Sequence, residues 1–242
     1  MGVQRHTRWV KPTLTDKQRV DQVGFVLSHL HKRGGVGVLV EDMFDWIHVD
    51  EKWFYLMKDD ENVYLQPDEV PKPPRASNKW FILKMFLAAI ARHRKLSNRV
   101  WFDRKISIWS NVDMVMAQRA SKSYAWGDPA LRPVMVDGEK YKKTMIDEVI
   151  PAIKAQMPRL LGHIVLVQHD GDKWHSKRGV MEAIQAEAGN SIMLESQPSN
   201  SPDLHMNDFG FFHSIQQLKE YVGLTTADGL VEATLEAFDI YP

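Results

Sequence analysis

From Phe44 through Trp46, Ile47 and Val49, apolar and β-branched residues fill both alternating sets of positions, the pattern of a strand covered on both faces, until Asp50 interrupts it. The run Ile164-Val165-Leu166-Val167 repeats the pattern and also leads to an acid, Asp170. Residues 1–14 are basic and irregular, with Pro12 set against helix. Thr15-Asp16-Lys17-Gln18 matches a capping box, and Val20, Val23, Leu27 and Leu30 make one apolar stripe, so a helix is expected from Thr15 to Gly34-Gly35. Val36–Val40 is a short apolar run. Trp53, Tyr55 and Met57 set against Val63-Tyr64-Leu65 predict a hairpin, and the prolines between Pro67 and Pro74 predict a connector.

Trp80–Ala91 reads as another strand, and Val100–Phe102 with Ile106–Trp109 as a further hairpin before an irregular stretch, Ser121–Asp137. Tyr141, Met145, Val149 and Ile153 recur at helical spacing, predicting a helix from Gly138 to near Pro158. A second helix follows from about Lys177 to Ala188, then a strand over Ser191–Leu194. Phe211, Ile215, Leu218 and Val222 place a helix from Asp208, and Val231, Leu235 and Phe238 a last one. Hairpins first and strand-helix alternation afterwards define an α/β fold with a mixed sheet flanked by helices.

With 242 residues, 44% of them hydrophobic and 26% charged, the chain can bury a large core in one domain or in a domain with an appendage. Its longest apolar run, Met85–Ala91, is far short of the roughly 20 residues that span a bilayer, and Met1–Lys11 has no apolar signal core, so no membrane association and an intracellular location are expected. The absence of cysteine excludes disulfides and thiolate metal sites. A formal net charge of zero hides segregation: residues 71–105 carry ten Lys/Arg against Asp103 alone, and residues 180–242 carry ten Asp/Glu against Lys219. Such polarity either gives one basic face able to follow a phosphate backbone or two faces that salt-bridge to each other.

Asp50 either begins a turn with Glu51 or offers a carboxylate that a metal or a cationic side chain must offset. Asp170 occupies the same place after the second strand, and Asp208 opens a helix. Neighbouring strands of an open α/β sheet end in one crevice, where Asp50 and Asp170 can meet. Converging carboxylates without cysteine form a hard oxygen site for Mg²⁺ or Mn²⁺, and two such ions about 4 Å apart serve phosphodiester chemistry.

Local wording singles these three out. Ile47-His48-Val49-Asp50-Glu51-Lys52-Trp53-Phe54, Val167-Gln168-His169-Asp170-Gly171, and Gln197-Pro198-Ser199-Asn200-Ser201-Pro202-Asp203-Leu204 running on to Asn207-Asp208-Phe209-Gly210-Phe211-Phe212 resemble, in order, the signature blocks of mariner-type transposases. The resemblance extends from about Arg5 to Leu218 and includes Arg8-Trp9-Val10-Lys11-Pro12, a linker. It implies a ribonuclease H-like catalytic domain over 36–242. Residues 1–35 then form a basic linker and helix left from a missing helix-turn-helix region. It also implies a catalytic and metal-binding triad of Asp50, Asp170 and Asp208 holding two Mg²⁺ or Mn²⁺ ions, with Asp203 structural in the preceding turn and His175 ordering the active-site loop. Family members cut double-stranded DNA at terminal inverted repeats and join the freed end to a target, working as dimers; a nuclear location follows.

Lys79, Lys84, Arg92, Arg94 and Lys95 are candidate DNA-backbone contacts, against the alternative of an ordinary solvated face; Arg92-His93-Arg94-Lys95 also has the composition of a nuclear localisation signal. Trp53, Trp80, Trp101 and Trp109 either stack on bases or fill the core. His169, His175, His205 and His213 lie near two of the acids, but no zinc-enzyme helix spacing accompanies them. Two functions remain: a metal-dependent endonuclease and strand-transferase core, and a catalytically silent DNA-binding or dimerisation domain descended from one. The complete triad favours the first. Asp172-Lys173-Trp174, where the family places a small residue and often proline before the histidine, favours the second.

Overall fold

In this computed structural model, residues 13–33, 37–55, 83–96, 99–120, 124–157, 164–171, 179–220 and 227–242 are described. Helix α1 (Asp16–Ser28) leads into a hairpin of β1 (Leu30–Arg33) and β2 (Gly37–Val40). Its capping box forms as expected: Gln18 N–H donates to Thr15 Oγ1 at 3.3 Å, and Thr15 N–H to Gln18 Oε1 at 2.9 Å. The helix ends earlier than expected, at Ser28, because Leu30–Arg33 pairs with β2. Its apolar stripe faces outward, with Val20, Val23 and Leu27 exposed. It leans on the body of the protein through Phe25 and through Gln22, whose amide donates to Asn200 O at 3.0 Å.

Strands β3 (Trp46–Tyr55), β4 (Leu83–Ala91), β7 (Lys105–Ser110), β10 (Val165–His169) and β11 (Ile192–Ser196) form the central sheet. Between them in sequence, β5 (Arg94–Leu96) pairs with β6 (Arg99–Phe102), and β8 (Val112–Met116) with β9 (Pro129–Pro133). The sheet order is β11-β10-β3-β4-β7: β3, β4 and β7 run antiparallel, while β10 and β11 add in parallel on the other side of β3. The strand at Asp50 therefore does not stop there. It continues to Tyr55, since β4 supplies ladder partners along its whole length, Ala88 opposite Asp50 among them. β10, by contrast, accompanies β3 only as far as Val49. The hairpin expected between Val100–Phe102 and Ile106–Trp109 does not form: Ile106 and Ile108 are buried and take β7 into the large sheet, while β6 turns back on β5. The stretch expected to be irregular before Asp137 contains β9. The second half of the hairpin expected over 52–65 and the proline connector lie outside the described residues.

Alternation along the strands builds one core on each face. Ile47, Val49, Val165 and Val167 pack with Tyr141, Met145, Val149 and Ile153, the four helix positions read from the sequence, and with Val180, Ile184 and Ala188 of α4 (Val180–Ala188). The helix carrying the first four is α2 (Gly138–Thr144), a π-helical turn (Met145–Val149) and α3 (Ile150–Gln156). The widened turn comes just before Pro151, which cannot donate to the fourth residue back. On the opposite face Phe54, Phe86, Ala88 and Ile90 pack with α5 (Phe212–Glu220) and α6 (Ala227–Ile240). No helix among the described residues is long and apolar enough to cross a membrane.

Candidate metal centre

Asp50 has the strand parity of Phe54 and faces the α5 side; Glu51 has that of Val49 and faces the α2 side. β10 ends opposite Val49, so Asp170, next in the chain, turns off beside Asp50. One carboxylate oxygen each from Asp50, Glu51 and Asp170 lies within 4.8 Å of the others. Asp208 comes from the far side, on a π-helical turn (Asn207–Phe211) that leads into α5. It lines one cleft with Asp170, about 360 Å³ in volume and walled by residues 197–202. A larger cavity between α4 and β11, about 740 Å³, touches none of the three aspartates.

Uncharged amides hold this arrangement. Asn207, fully buried, donates from Nδ2 to Ala88 O at 3.1 Å and His48 O at 3.4 Å, tying the turn that bears Asp208 to the two central strands. Gln168, also buried, donates to Gln197 Oε1 at 3.0 Å and Leu204 O at 2.9 Å, tying β10 to the chain before that turn. Asp203 lies in a short 3₁₀ turn, Pro202–Leu204, on this segment.

Electrostatically the centre carries an excess of negative charge. Burial, then the charges of Asp208, Asp170 and Glu51, push the Asp50 carboxyl up to about 8, against the Glu51 N–H that donates to its Oδ1 at 2.8 Å. Burial also raises Asp208; Lys52 opposes this and Asp170 adds to it. The buried Tyr141 phenol, raised by burial and by the charges of Glu51, Asp170 and Asp50, stays a neutral hydroxyl beneath the cluster. His205 places Nδ1 3.9 Å from Asp50 Oδ2, but burial lowers its imidazole to about 4, so near neutral pH the two form no ion pair. His48, edge-on to His205 with ring centroids 5.2 Å apart, is lowered to about 3 by burial and by His205.

A carboxyl held protonated first by burial and then by the charges of its acidic neighbours marks a site short of positive charge. Hard oxygen donors within one coordination radius fit Mg²⁺ or Mn²⁺. The histidines do not form a centre of their own: among the described residues none joins the carboxylate group. His213 is exposed, His169 Nδ1 lies 2.7 Å from Asp170 O, and His175 lies outside the described residues.

Of the candidate DNA contacts, Arg92 and Arg94 brace the turn before β3, at the start of the strand whose middle holds Asp50. Arg92 donates to Asp42 O and lies 4.5 Å from the Phe44 ring; Arg94 donates to Phe44 O and pairs with Asp45 at 3.0 Å. Lys84 stands opposite Phe54, at the carboxylate end of the sheet, and Lys95 lies in β5; their side chains, like all of Lys79, are outside the described set. Trp109 packs against the core and Trp53 is partly exposed. Sequence reasoning missed the roles of Glu51, Lys52, His48, Gln168, His205 and Asn207. Their available signal was polarity inside otherwise apolar blocks next to the predicted acids.

The mixed five-stranded sheet with helices on both faces is a ribonuclease H-like fold. Within that class the chain has the fold of the mariner-type transposase catalytic domain, as comparison with the Mos1 transposase demonstrates. Against the Mos1 paired-end complex with left transposon end, the TM-score is 0.65 at 18% identity, covering 100% of this chain and 60% of that one. Against the mariner Mos1 paired-end complex with Mg it is 0.60 at 17% identity, over 99% and 60%. Against the Mos1 catalytic domain with Raltegravir and Mn it is 0.55 at 16% identity, over 96% and 86%. The chain thus spans about 60% of the length of Mos1 in the paired-end complexes. By sequence it matches no protein-family model and no curated protein.

Proposed function

We propose that this chain is the catalytic core of a mariner-type DNA transposase, a divalent-metal-dependent endonuclease and strand-transferase acting on double-stranded DNA at transposon ends. The observation that carries the reading is that Asp170 and Asp208, far apart in sequence, line one cleft, and that the carboxylate of Asp50, on the neighbouring strand, approaches that of Asp170 within 4.8 Å and feels the charges of both. In the reaction, water attacks phosphorus and the 3′ oxygen leaves as a hydroxyl. That hydroxyl then attacks a phosphodiester of the target, forming one P–O bond as another breaks. Asp50, Asp170 and Asp208 would hold two Mg²⁺ or Mn²⁺ ions, which when bound supply charge neutralisation at the phosphate and acidify the attacking group. The amide ties of Asn207 and Gln168 hold the carboxylates at fixed separation, and the histidines at positions 48 and 205 stay neutral and exclude water behind Asp50. Lys52, the cation beside Asp208, is suited to a DNA phosphate at the cleft mouth.

A homodimer working in the nucleus completes the proposal. The test is cleavage of a supercoiled plasmid with Mn²⁺: the parent should nick, and Asp50→Asn should bind DNA without nicking. Equal nicking by both proteins would sink the assignment. The competing reading, a silent DNA-binding or dimerisation domain, draws on Asp172 and Trp174 in the second block; it predicts a parent that binds DNA and never cuts.

A further inference from the structure

Glu51 is no member of the triad read from the sequence, and strand alternation points it to the opposite face of β3 from Asp50. On an ordinary sheet a neighbouring strand would separate the two faces. Here β10 pairs with β3 only as far as Val49, and the chain turns at Asp170 beside the stretch of β3 that holds Asp50 and Glu51. Asp170 is consequently reached from both faces. The carboxylate oxygens of Asp50, Glu51 and Asp170 approach one another within 4.8 Å, the one such group of three among the described residues, and Asp208 is not in it. Ligand oxygens of an octahedral Mg²⁺, at about 2.0–2.1 Å from the ion, stand roughly 3–4 Å apart, so three oxygens within 4.8 Å of one another need only a small side-chain movement to close on one ion.

We infer that Glu51 is a metal ligand: with Asp50 and Asp170 it encloses one divalent cation, and Asp208 serves a neighbouring position of the same centre. The centre then draws four carboxylates from both sides of the sheet, a charge that two divalent ions neutralise. Tyr141, buried on α2, feels the charges of Glu51, Asp170 and Asp50, so its neutral phenol lies beside the same cluster. The inference rests on the metal-dependent reading above, and the experiment separates the two.

Calorimetric titration of Mn²⁺ into the parent, Glu51→Gln, Glu51→Asp and Asp208→Asn proteins provides the test. Loss of even an outer partner of a metal ligand costs roughly 10- to 100-fold in affinity. Glu51→Gln should therefore weaken the tighter binding event by at least about tenfold, Glu51→Asp should recover part of it, and Asp208→Asn should leave that event and remove a weaker one. Uptake by Glu51→Gln equal to the parent's overturns the role of Glu51 while leaving the metal centre standing. A parent that takes up no Mn²⁺ overturns both. A measurement needing no substitution accompanies these: in protein labelled with ¹³C-glutamate, Mg²⁺ must shift the Glu51 side-chain carboxyl resonance, and an unmoved resonance refutes the assignment.

Discussion

Replacing Asp50 with Asn should make the metal-free protein more stable while destroying its metal site. The Asp50 carboxyl, ordinarily near 3.8, is lifted to about 8 in the fold. The unfolded chain ionises it from about pH 4 upward while the folded chain does not, so the stability contributed by the protonated form is intact below pH 4 and is lost as the pH climbs towards 8. At 1.36 kcal/mol per pH unit, the loss at pH 7 is on the order of 4 kcal/mol. Asn carries no charge at any of these pH values, and its oxygen can still accept the Glu51 N–H. In a domain of this size each kcal/mol moves the melting temperature by about 2–4 °C, so Asp50→Asn should melt on the order of 10 °C above the parent at pH 7. At pH 4 the two should coincide. Saturating Mn²⁺ should raise the parent's melting temperature and leave the variant's unchanged. The assay is differential scanning fluorimetry from pH 4 to pH 8, with EDTA and with Mn²⁺. A variant that melts at or below the parent at pH 7, or a gap that does not grow with pH, would refute the charge-excess account.

Asn207→Leu removes the two donations to Ala88 O and His48 O from a fully buried position and should cost about 1–3 kcal/mol, read as a lower urea midpoint together with weaker Mn²⁺ binding. His48 and His205, lowered to about 3 and 4, should keep their imidazole ring proton shifts flat from pH 8 to pH 5. Because they are depressed below 6.5, the stability they contribute is present above that pH and is lost as the pH falls towards 4; a ring titrating near 6.5 would contradict their burial. Arg94→Ala, which loses the pair with half-buried Asp45 and the stacking on Phe44, should cost about 1–2 kcal/mol by thermal melt yet leave DNA affinity nearly unchanged at two salt concentrations.

The sequence disclosed those parts of the fold that each element specifies alone. The first half of β3 and the start of β10 show as apolar runs because both of their faces are covered, and the Tyr141–Ile153 helix shows because its apolar stripe packs on the core. Asp50 and Asp170 stood out as charges where such runs give way, but only the wording of the three blocks singled them out together with Asp208, which opens a helix. What escaped depends on which segments meet. Ile106 and Ile108 fit a local hairpin as well as they fit β4, and only the competition for core decides. Arg92 and Arg94 look like free cations until Phe44 and Asp45 are brought beneath them. Glu51 was hidden by a rule that is correct for its strand, alternation, and revealed only by the early end of the next strand. Asn207 and Gln168 carry no periodicity; their partners are backbone carbonyls and an amide whose positions exist only in the folded chain.

The division of labour between Asn207 or Gln168 and the carboxylates also bears on how such a chain ages. Its frame is fastened by neutral amides and two apolar cores, while the charge of Asp50 is resisted by its burial in that frame. If the proposed DNA-cutting role were relaxed, the lineage could lose Asp50 with a gain in stability, whereas loss of Asn207 would be penalised at once. Drift would therefore silence the chemistry long before it erased the architecture, leaving an inert copy with the shape of an enzyme. A sequence that keeps Asp50, whose charge the fold resists, has kept a residue that relaxed selection would discard early.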